Sequence, residues 1–392
     1  MKESFDKQVN RRNTGSLKWE VAEGELPMWV ADMDFETAPN IIEAIQKRAK
    51  QGVFGYTVIT EEWYQAYQKW WRERHNFVIQ KEWLLFCMGV VPAISSIVRK
   101  MTTVGENIVV MTPVYNIFFN SILNNGRNVL ESKLNYEKGI YSIDFKDLEE
   151  KLSDPQTSML ILCNPHNPIG KIWDKETLKK IGDLCHQYHV LVLSDEIHCD
   201  ITKPGCEYIP FASISKECRD NSITCVAPTK AFNLAGIQTS AVIVPNEFLR
   251  NKVNGGLNTD EVAEPNVFAT IASIEAFEHG EEWLEELREY VWENRKYAEQ
   301  FIEKEIKEIH AVPAEATYLL WLDCRELIGD SSELCDFIRS HSGLYLSDGR
   351  EYRNGDGFLR MNLACPKEQV KDGLERLKKS MIAYAEWVCK RC

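Results

Sequence analysis

The chain has 392 residues, 44% of them hydrophobic and 27% charged, with a formal net charge of −13. That length suits two domains, and that composition suits a soluble globular protein with ample material for a core. The acidic balance argues against a nucleic-acid or anionic-membrane surface, which wants a basic patch, and no apolar run approaches the length of a membrane span.

The N-terminal stretch Met1-Lys2-Glu3-Ser4-Phe5-Asp6 is charged and lacks an apolar core, so no signal peptide is expected. Twelve cysteines are scattered through the chain. They read as reduced, mostly buried thiols of a cytoplasmic protein rather than a disulfide scaffold. Cys389 and Cys392 form a lone CxxC on a terminal tail, which reads as a frayed end. Cys185, His186, His189, His198 and Cys199 straddle a predicted helix, strand and loop without a ligand spacing, so no metal site is expected.

Residues 1–36 read as irregular, with Arg11 and Arg12 on a solvated arm. Ile41, Ile42, Ile45 and Ala49 have helical spacing from Pro39 to about Lys50, and Gly52 follows the end. Phe54-Gly55-Tyr56-Thr57 reads as a turn. Glu61 to His75 is a helix with an aromatic stripe, Trp63, Tyr64, Tyr67, Trp70 and Trp71, that suits packing against a core or partner.

Strands and helices then alternate. Strands are expected at 83–87, 107–111, 128–132, 158–163, 190–194, 222–227 and 240–244. Helices are expected to open at Gly89-Val90-Val91 and at Thr112-Pro113-Val114-Tyr115, and to span Asp174–Tyr188. Short apolar strands alternating with helices imply a mainly parallel sheet covered on both faces. Ligands of such sheets sit at the C-terminal ends of the strands. Tyr115, Asn167, Asp195 and Lys230 each lie just after a predicted strand.

A long helix is expected over 281–309. Strands at 318–322, 344–346 and 358–361, with helices at 332–340 and 366–387, imply a second, smaller α+β domain. Gly343, Gly349, Gly355 and Gly357 suit tight turns. No Walker loop, GxGxxG, GxSxG or HExxH stands in a fitting context.

Lys230 follows the apolar run from Ser222 to Ala227. Desolvation at a strand end would lower its pKa and make the amine nucleophilic, as Schiff-base chemistry requires. Taken alone, an ordinary solvated loop lysine is the simpler reading.

Nine ordered stretches bear on that choice. They are Lys18–Glu20 (KWE), Leu26–Phe35 (LPMWVADMDF), Phe54–Thr57 (FGYT), Gly89–Ala93 (GVVPA), Thr112–Tyr115 (TPVY), Asn164–Gly170 (NPHNPIG), Ser194–His198 (SDEIH), Ala227–Ser240 (APTKAFNLAGIQTS) and Arg360–Pro366 (RMNLACP). Together they resemble the aspartate-aminotransferase superfamily of pyridoxal 5′-phosphate (PLP) enzymes, fold type I. Within it they are most similar to the cystathionine β-lyase / MalY–PatB group of carbon–sulfur lyases.

The resemblance implies an α/β fold with a mainly parallel seven-stranded sheet between helices. It places the large PLP-binding domain at 46–282, and an N-terminal arm with the small domain at 1–45 and 283–392. It implies that Lys230 binds PLP through its amine and later takes the Cα proton. Asp195 would face the pyridine nitrogen and keep the ring an electron sink. Asn167 would donate to the ring oxygen and border the substrate, Tyr115 would stack on the ring, and His198 would sit nearby, although a satisfied core histidine is an equal reading.

Val90 and Val91 would hold the phosphate at a helix N-terminus, with the Thr229 hydroxyl. Tyr56 would reach a neighbouring subunit's site, which implies a homodimer with shared active sites. Arg360 would clamp the substrate α-carboxylate, and the backbone near Ala31 would close over it.

Two positions depart from the pattern. Gln238 stands where many relatives carry a phosphate-binding arginine, and Asn116 where some carry a second tyrosine. The implied activity is β-elimination on L-cystathionine or related thioether amino acids, giving thiol, pyruvate and ammonia. An aminotransferase on the same scaffold, or a regulator acting through a protein partner, are the other readings.

Overall fold

A computed structural model describes residues 5–327 and 330–389. Residues 390–392 and the Cys389 side chain, and so the thiols of the terminal CxxC, lie outside the described residues, as does the start of the charged N-terminal stretch. Seven strands form the main sheet: β1 (Leu84–Cys87), β2 (Asn107–Thr112), β3 (Asn128–Lys133), β4 (Thr157–Cys163), β5 (Leu191–Asp195), β6 (Ser222–Val226) and β7 (Ser240–Ile243). Their order is β1-β7-β6-β5-β4-β2-β3. Strands β2 to β6 pair in parallel, while β7 runs antiparallel to β1 and β6.

The strands are apolar almost without interruption because both faces are buried. Ile108 and Val110 enter one core cluster, and Val109 and Met111 enter another on the opposite face. This is the alternation that the pleat imposes. Each expected strand of this sheet is present, within a residue or two at its ends.

A second sheet is antiparallel. Its strands β8 (His310–Ala311), β9 (Leu319–Asp323), β10 (Ser347–Asp348) and β11 (Phe358–Asn362) lie in the order β8-β9-β11-β10. Helices Ser331–Ser342 and Lys367–Cys389 pack together beside it. Leu320, Leu322, Leu359 and Met361 share one core with Leu334, Ile338, Leu374 and Leu377 from those helices. Gly349 and Gly355 meet backbone to backbone, where an added Cβ at Gly349 would lie 2.1 Å from the Gly355 carbonyl oxygen.

Four expectations need correction. The long helix spans Glu281–Glu305 and stops before 309, because Ile306 leaves the helical conformation and the chain turns at 307–308 before it enters β8. The strand expected at 344–346 is only Leu344–Tyr345, and it pairs in parallel with Leu26–Pro27, not with the second sheet. Phe54–Thr57 is not a turn but part of an exposed, irregular segment.

Arg11, expected on a solvated arm, is largely buried against Asp32 and Asp34, at 2.7 Å from each, and Arg12 donates to backbone carbonyls of Val21, Ala22 and Glu25. Their partners stand about ten to twenty residues on, too far for a local pattern to show. Helices Phe145–Leu152, Glu247–Thr259 and Ala269–His279 are present beyond those expected.

The described cysteines are free thiols, and all but Cys206 are buried. Among the described residues, no helix is long and apolar enough to cross a membrane.

The aromatic stripe of helix Glu61–Arg74 is core. Trp63, Tyr67, Trp70 and Trp71 are buried, and the Trp63 ring lies 4.5 Å from Tyr67 and 6.0 Å from Phe86. Truncating so large a buried ring leaves a cavity costing about 3–5 kcal/mol. We therefore expect Trp63→Ala to lower the urea midpoint sharply, measured by tryptophan fluorescence and far-ultraviolet circular dichroism. A surface change such as Phe248→Ala should leave the midpoint nearly unmoved.

Candidate active site

The C-terminal ends of the parallel strands share one edge of the main sheet, and a cavity of about 260 Å³ lies there. Nine of the expected residues line it: Lys230, Asp195, Asn167, His198, Tyr115, Val90, Val91, Thr229 and Ala31. They arrive from separate parts of the chain. Val90 and Val91 open the helix after β1, Asn167 follows β4, Asp195 ends β5, and Thr229 and Lys230 follow β6. The antiparallel β7 begins at the same edge, so Gln238 and Thr239, just before it, line the cavity too.

Lys230 is the centre of this arrangement. Its Nζ donates to the Ala31 carbonyl at 2.6 Å. Burial lowers its pKa to about 8, helped by the nearby Arg360 charge and opposed by Asp32 and Asp195. Asp195 is pushed up to about 7 by burial, against the hydrogen bond from the Ile197 N–H at 3.1 Å and the Lys230 charge. His198 is driven down to about 3 by burial and by the charges of Lys230 and Arg360, so its imidazole is neutral. Its Nδ1 is buried and has no hydrogen-bond partner.

Arg360 stands on β11 and is buried beside the cavity. It donates to Asn167 Oδ1 at 3.2 Å and to the Trp29 carbonyl at 2.7 Å, and its guanidinium lies 4.9 Å from the Tyr352 ring centre. Its Nε has no partner. With Oδ1 of Asn167 taken by Arg360, the Nδ2 group of Asn167 remains a donor. Tyr115 has its hydroxyl raised to about 12 by burial.

Tyr56 is fully exposed at 102% and does not line the cavity of its own chain. Gln238 holds a left-handed φ of 57° at its place on the cavity wall.

Several contributors escaped sequence reasoning. Tyr318 donates its hydroxyl to the Ala31 carbonyl at 3.0 Å, sharing that acceptor with Lys230. The Asn362 amide donates to the carbonyls of Val30 and Asp32, both at 2.6 Å. Asn233 brackets the next residues, accepting from the Met33 N–H at 3.1 Å and donating to the Phe35 carbonyl at 2.8 Å. Cys163 lines the cavity floor with its thiol pushed far up by burial. Asn233, Asn362 and Cys163 stand in or beside a quoted motif and Tyr318 at the head of an expected strand, but the partners of Tyr318, Asn233 and Asn362 are remote in sequence.

The five residues considered as a metal set do not come together. Among the described residues, the one group of three candidate ligands that does is His75, Cys199 and Asp200. Asp200 is already engaged by Arg74 at 3.0 Å and by Trp70 Nε1 at 3.1 Å.

The sequence pattern of the family described as aminotransferase class I and II matches residues 26–377. The chain belongs to that family. It is 40% identical over 386 residues to the cystathionine β-lyase PatB of Bacillus subtilis, covering 96% of this chain and all of that protein. Cystalysin from Treponema denticola, a structure containing PLP, superposes with a TM-score of 0.94 at 34% identity, covering 97% of this chain and 98% of that one. The PLP-bound C–S lyase from Staphylococcus hominis gives a TM-score of 0.90 at 33% identity, covering 96% and 98%.

The depressed Lys230 amine has a stability signature. Between pH 8 and 10.5 the unfolded chain holds a proton that the folded chain has lost. Stability therefore rises with pH across that window. We expect cofactor-free Lys230→Met to be more stable than cofactor-free wild type at pH 7, by about 1–3 kcal/mol. The gap should close by pH 10.5, read from urea midpoints taken at several pH values.

Proposed function

We propose that this chain is a PLP-dependent carbon–sulfur β-lyase acting on L-cystathionine or related thioether amino acids. One observation carries the reading. A desolvated lysine amine and a buried carboxylate line one cavity, with a guanidinium beside it, in a chain 40% identical to a cystathionine β-lyase over nearly its full length.

The pocket suits the cofactor chemically. The N–H groups of Val90 and Val91, in the first turn of their helix, have no acceptor within it and favour an anion, with the Thr229 hydroxyl nearby. Gln238 adds no charge there. When bound, PLP supplies an electron sink for the Cα carbanion.

The chain's own groups do the rest. Lys230 Nζ, with its pKa near 8, is partly neutral at physiological pH and can attach the cofactor. Released by the substrate amine, the same Nζ is the base that takes the Cα proton. The buried Asp195 would offer its carboxylate to a ring N–H. Asn167 Nδ2 would donate to the ring oxygen, and Tyr115 would pack on the ring face. His198 stays neutral beside them and adds no competing charge.

Arg360 holds the α-carboxylate with its fork, pre-aimed by Trp29 and Asn167. The Ala31 carbonyl steadies the amine until the substrate arrives. Thiolate then leaves from Cβ, and the remaining three-carbon enamine hydrolyses to pyruvate and ammonia.

Residues 46–282 would form the cofactor-carrying domain, and 1–45 with 283–392 the smaller one, since β11 brings Arg360 to the edge where β4 to β6 end. The exposed Tyr56 would serve the site of a second copy, making a homodimer. A cytoplasmic setting fits the free, buried thiols. The family also includes aminotransferases, whose reaction shares the first proton transfer.

Purified protein loaded with PLP and given L-cystathionine, with no keto acid, should release pyruvate, ammonia and homocysteine over many turnovers. Absence of these products, with amino transfer once 2-oxoglutarate is added, would reassign the chain as an aminotransferase. Lys230→Ala should lose the cofactor's visible absorbance and the β-elimination together. Asp195→Asn should lower kcat at least tenfold while still binding cofactor.

A further inference from the structure

Arg360 accounts for the α-carboxylate, but the group beyond sulfur must also meet the protein. The Val114 N–H donates to the Tyr352 carbonyl at 3.0 Å. That bond seats the short helical turn Gly349–Tyr352 against the segment carrying Tyr115. Tyr115 lines the cavity, and Tyr352 lies beside the Arg360 guanidinium. The next residue on one side and the preceding one on the other, Asn116 and Glu351, then face each other. Asn116 Nδ2 donates to Glu351 Oε2 at 3.4 Å.

Glu351 differs from the charges around it. Arg350 is paired with Asp330 at 3.2 Å and Asp348 at 3.4 Å, and Arg353 with Glu131 at 2.7 Å. Glu351 is exposed and has no ion-pair partner among the described residues. Its hydrogen bond with Asn116 is long and comes from a neutral amide. Partial burial of the carboxyl raises its pKa above the ordinary value, and the nearby Arg360 charge works against that rise. Glu351 is therefore a carboxyl without an ion-pair partner among the described residues, near Arg360 and joined through Asn116 to the segment whose Tyr115 lines the cavity.

We propose that Glu351, oriented by Asn116, selects thioether amino acids whose sulfur substituent ends in a cation. The inference rests on the β-lyase reading of the site. With the α-carboxylate fixed on Arg360, a distal ammonium gains a free carboxylate, and a distal carboxylate meets a like charge. L-cystathionine carries both an ammonium and a carboxylate at that end, and only the ammonium gains from Glu351. A substituent ending only in a carboxylate is disfavoured.

The test uses the PLP-loaded enzyme and two substrates of similar length, S-(2-aminoethyl)-L-cysteine and S-carboxymethyl-L-cysteine, with pyruvate release as the readout. Wild type should show the higher kcat/KM for the aminoethyl compound. E351Q should lower the ratio of the two values by about fivefold, the scale of one exposed charge pair. E351K should lower it further and reverse the preference.

The change should fall in KM rather than kcat, which a general structural defect would not produce. A ratio within twofold of wild type in both variants overturns the proposal while leaving the lyase reading intact. Absence of pyruvate from either substrate, and from L-cystathionine, with wild type overturns the lyase reading, and this inference falls with it.

Discussion

A single backbone oxygen, the carbonyl of Ala31, accepts from the Lys230 amine at 2.6 Å and from the Tyr318 hydroxyl at 3.0 Å. A hydrogen bond from a buried ammonium to a carbonyl is favourable, yet burial still prevails and the amine's pKa falls to about 8. The carbonyl can play this part only if its peptide is held in place, and an irregular segment has no ladder to hold it. The fixing comes from side chains. Asn362 bonds the carbonyls on either side of Ala31, and Asn233 grips Met33 and Phe35. Asp34 then anchors the segment on Lys18 at 2.7 Å, Arg11 at 2.7 Å, Trp19 at 2.8 Å and Gln369 at 2.9 Å.

That knot is costly to build and costly to break. Asp34 and Lys18 are both almost wholly buried. Desolvation raises the Asp34 carboxyl, but Lys18, Trp19 and Arg11 together hold it below the usual carboxylate range. Such a cluster is weak evidence for net stability, since an apolar replacement could do as well. Its geometric effect is firmer. Four side chains converge on Asp34, so the stretch from Trp29 to Phe35 has few ways to move. Both polar ends of the candidate site lean on this stretch: the Trp29 carbonyl accepts from Arg360, and the Ala31 carbonyl from Lys230.

Much of the main sheet was legible because its strands are buried on both faces and read as bare apolar runs. The site residues were legible in a different way. Lys230, Asp195 and Asn167 each come just after such a run, and parallel strands deliver the residues beyond their ends to one edge. The features that escaped are long-range. Arg11 reads as solvated because its acidic partners lie more than twenty residues away. Leu344–Tyr345 reads as a strand of the second sheet because pattern cannot choose a partner, and its partner is Leu26–Pro27. Helix Ala269–His279 mixes polar residues such as Thr270, Ser273 and Glu275 among its apolar ones, so no amphipathic stripe marks it, and it packs against other helices. Tyr318, Asn233 and Asn362 act through backbone carbonyls, which carry no signature in the sequence.

The antiparallel β7 has an effect on how the molecule can vary. The segment from Ala227 to Thr239 leaves the sheet at the end of β6 and re-enters it at the start of β7, on the same edge. Lys230 near its departure and Gln238 near its return both line the cavity. A parallel connection would have carried the chain away through a crossover helix, whose length can drift. This one is a loop pinned at both feet beside the ligand. An insertion within it would displace the lysine, the cavity wall, or the register of the β7 strand. The tolerance for length change that surface loops ordinarily enjoy is withdrawn here, and variation is left to side-chain identity alone.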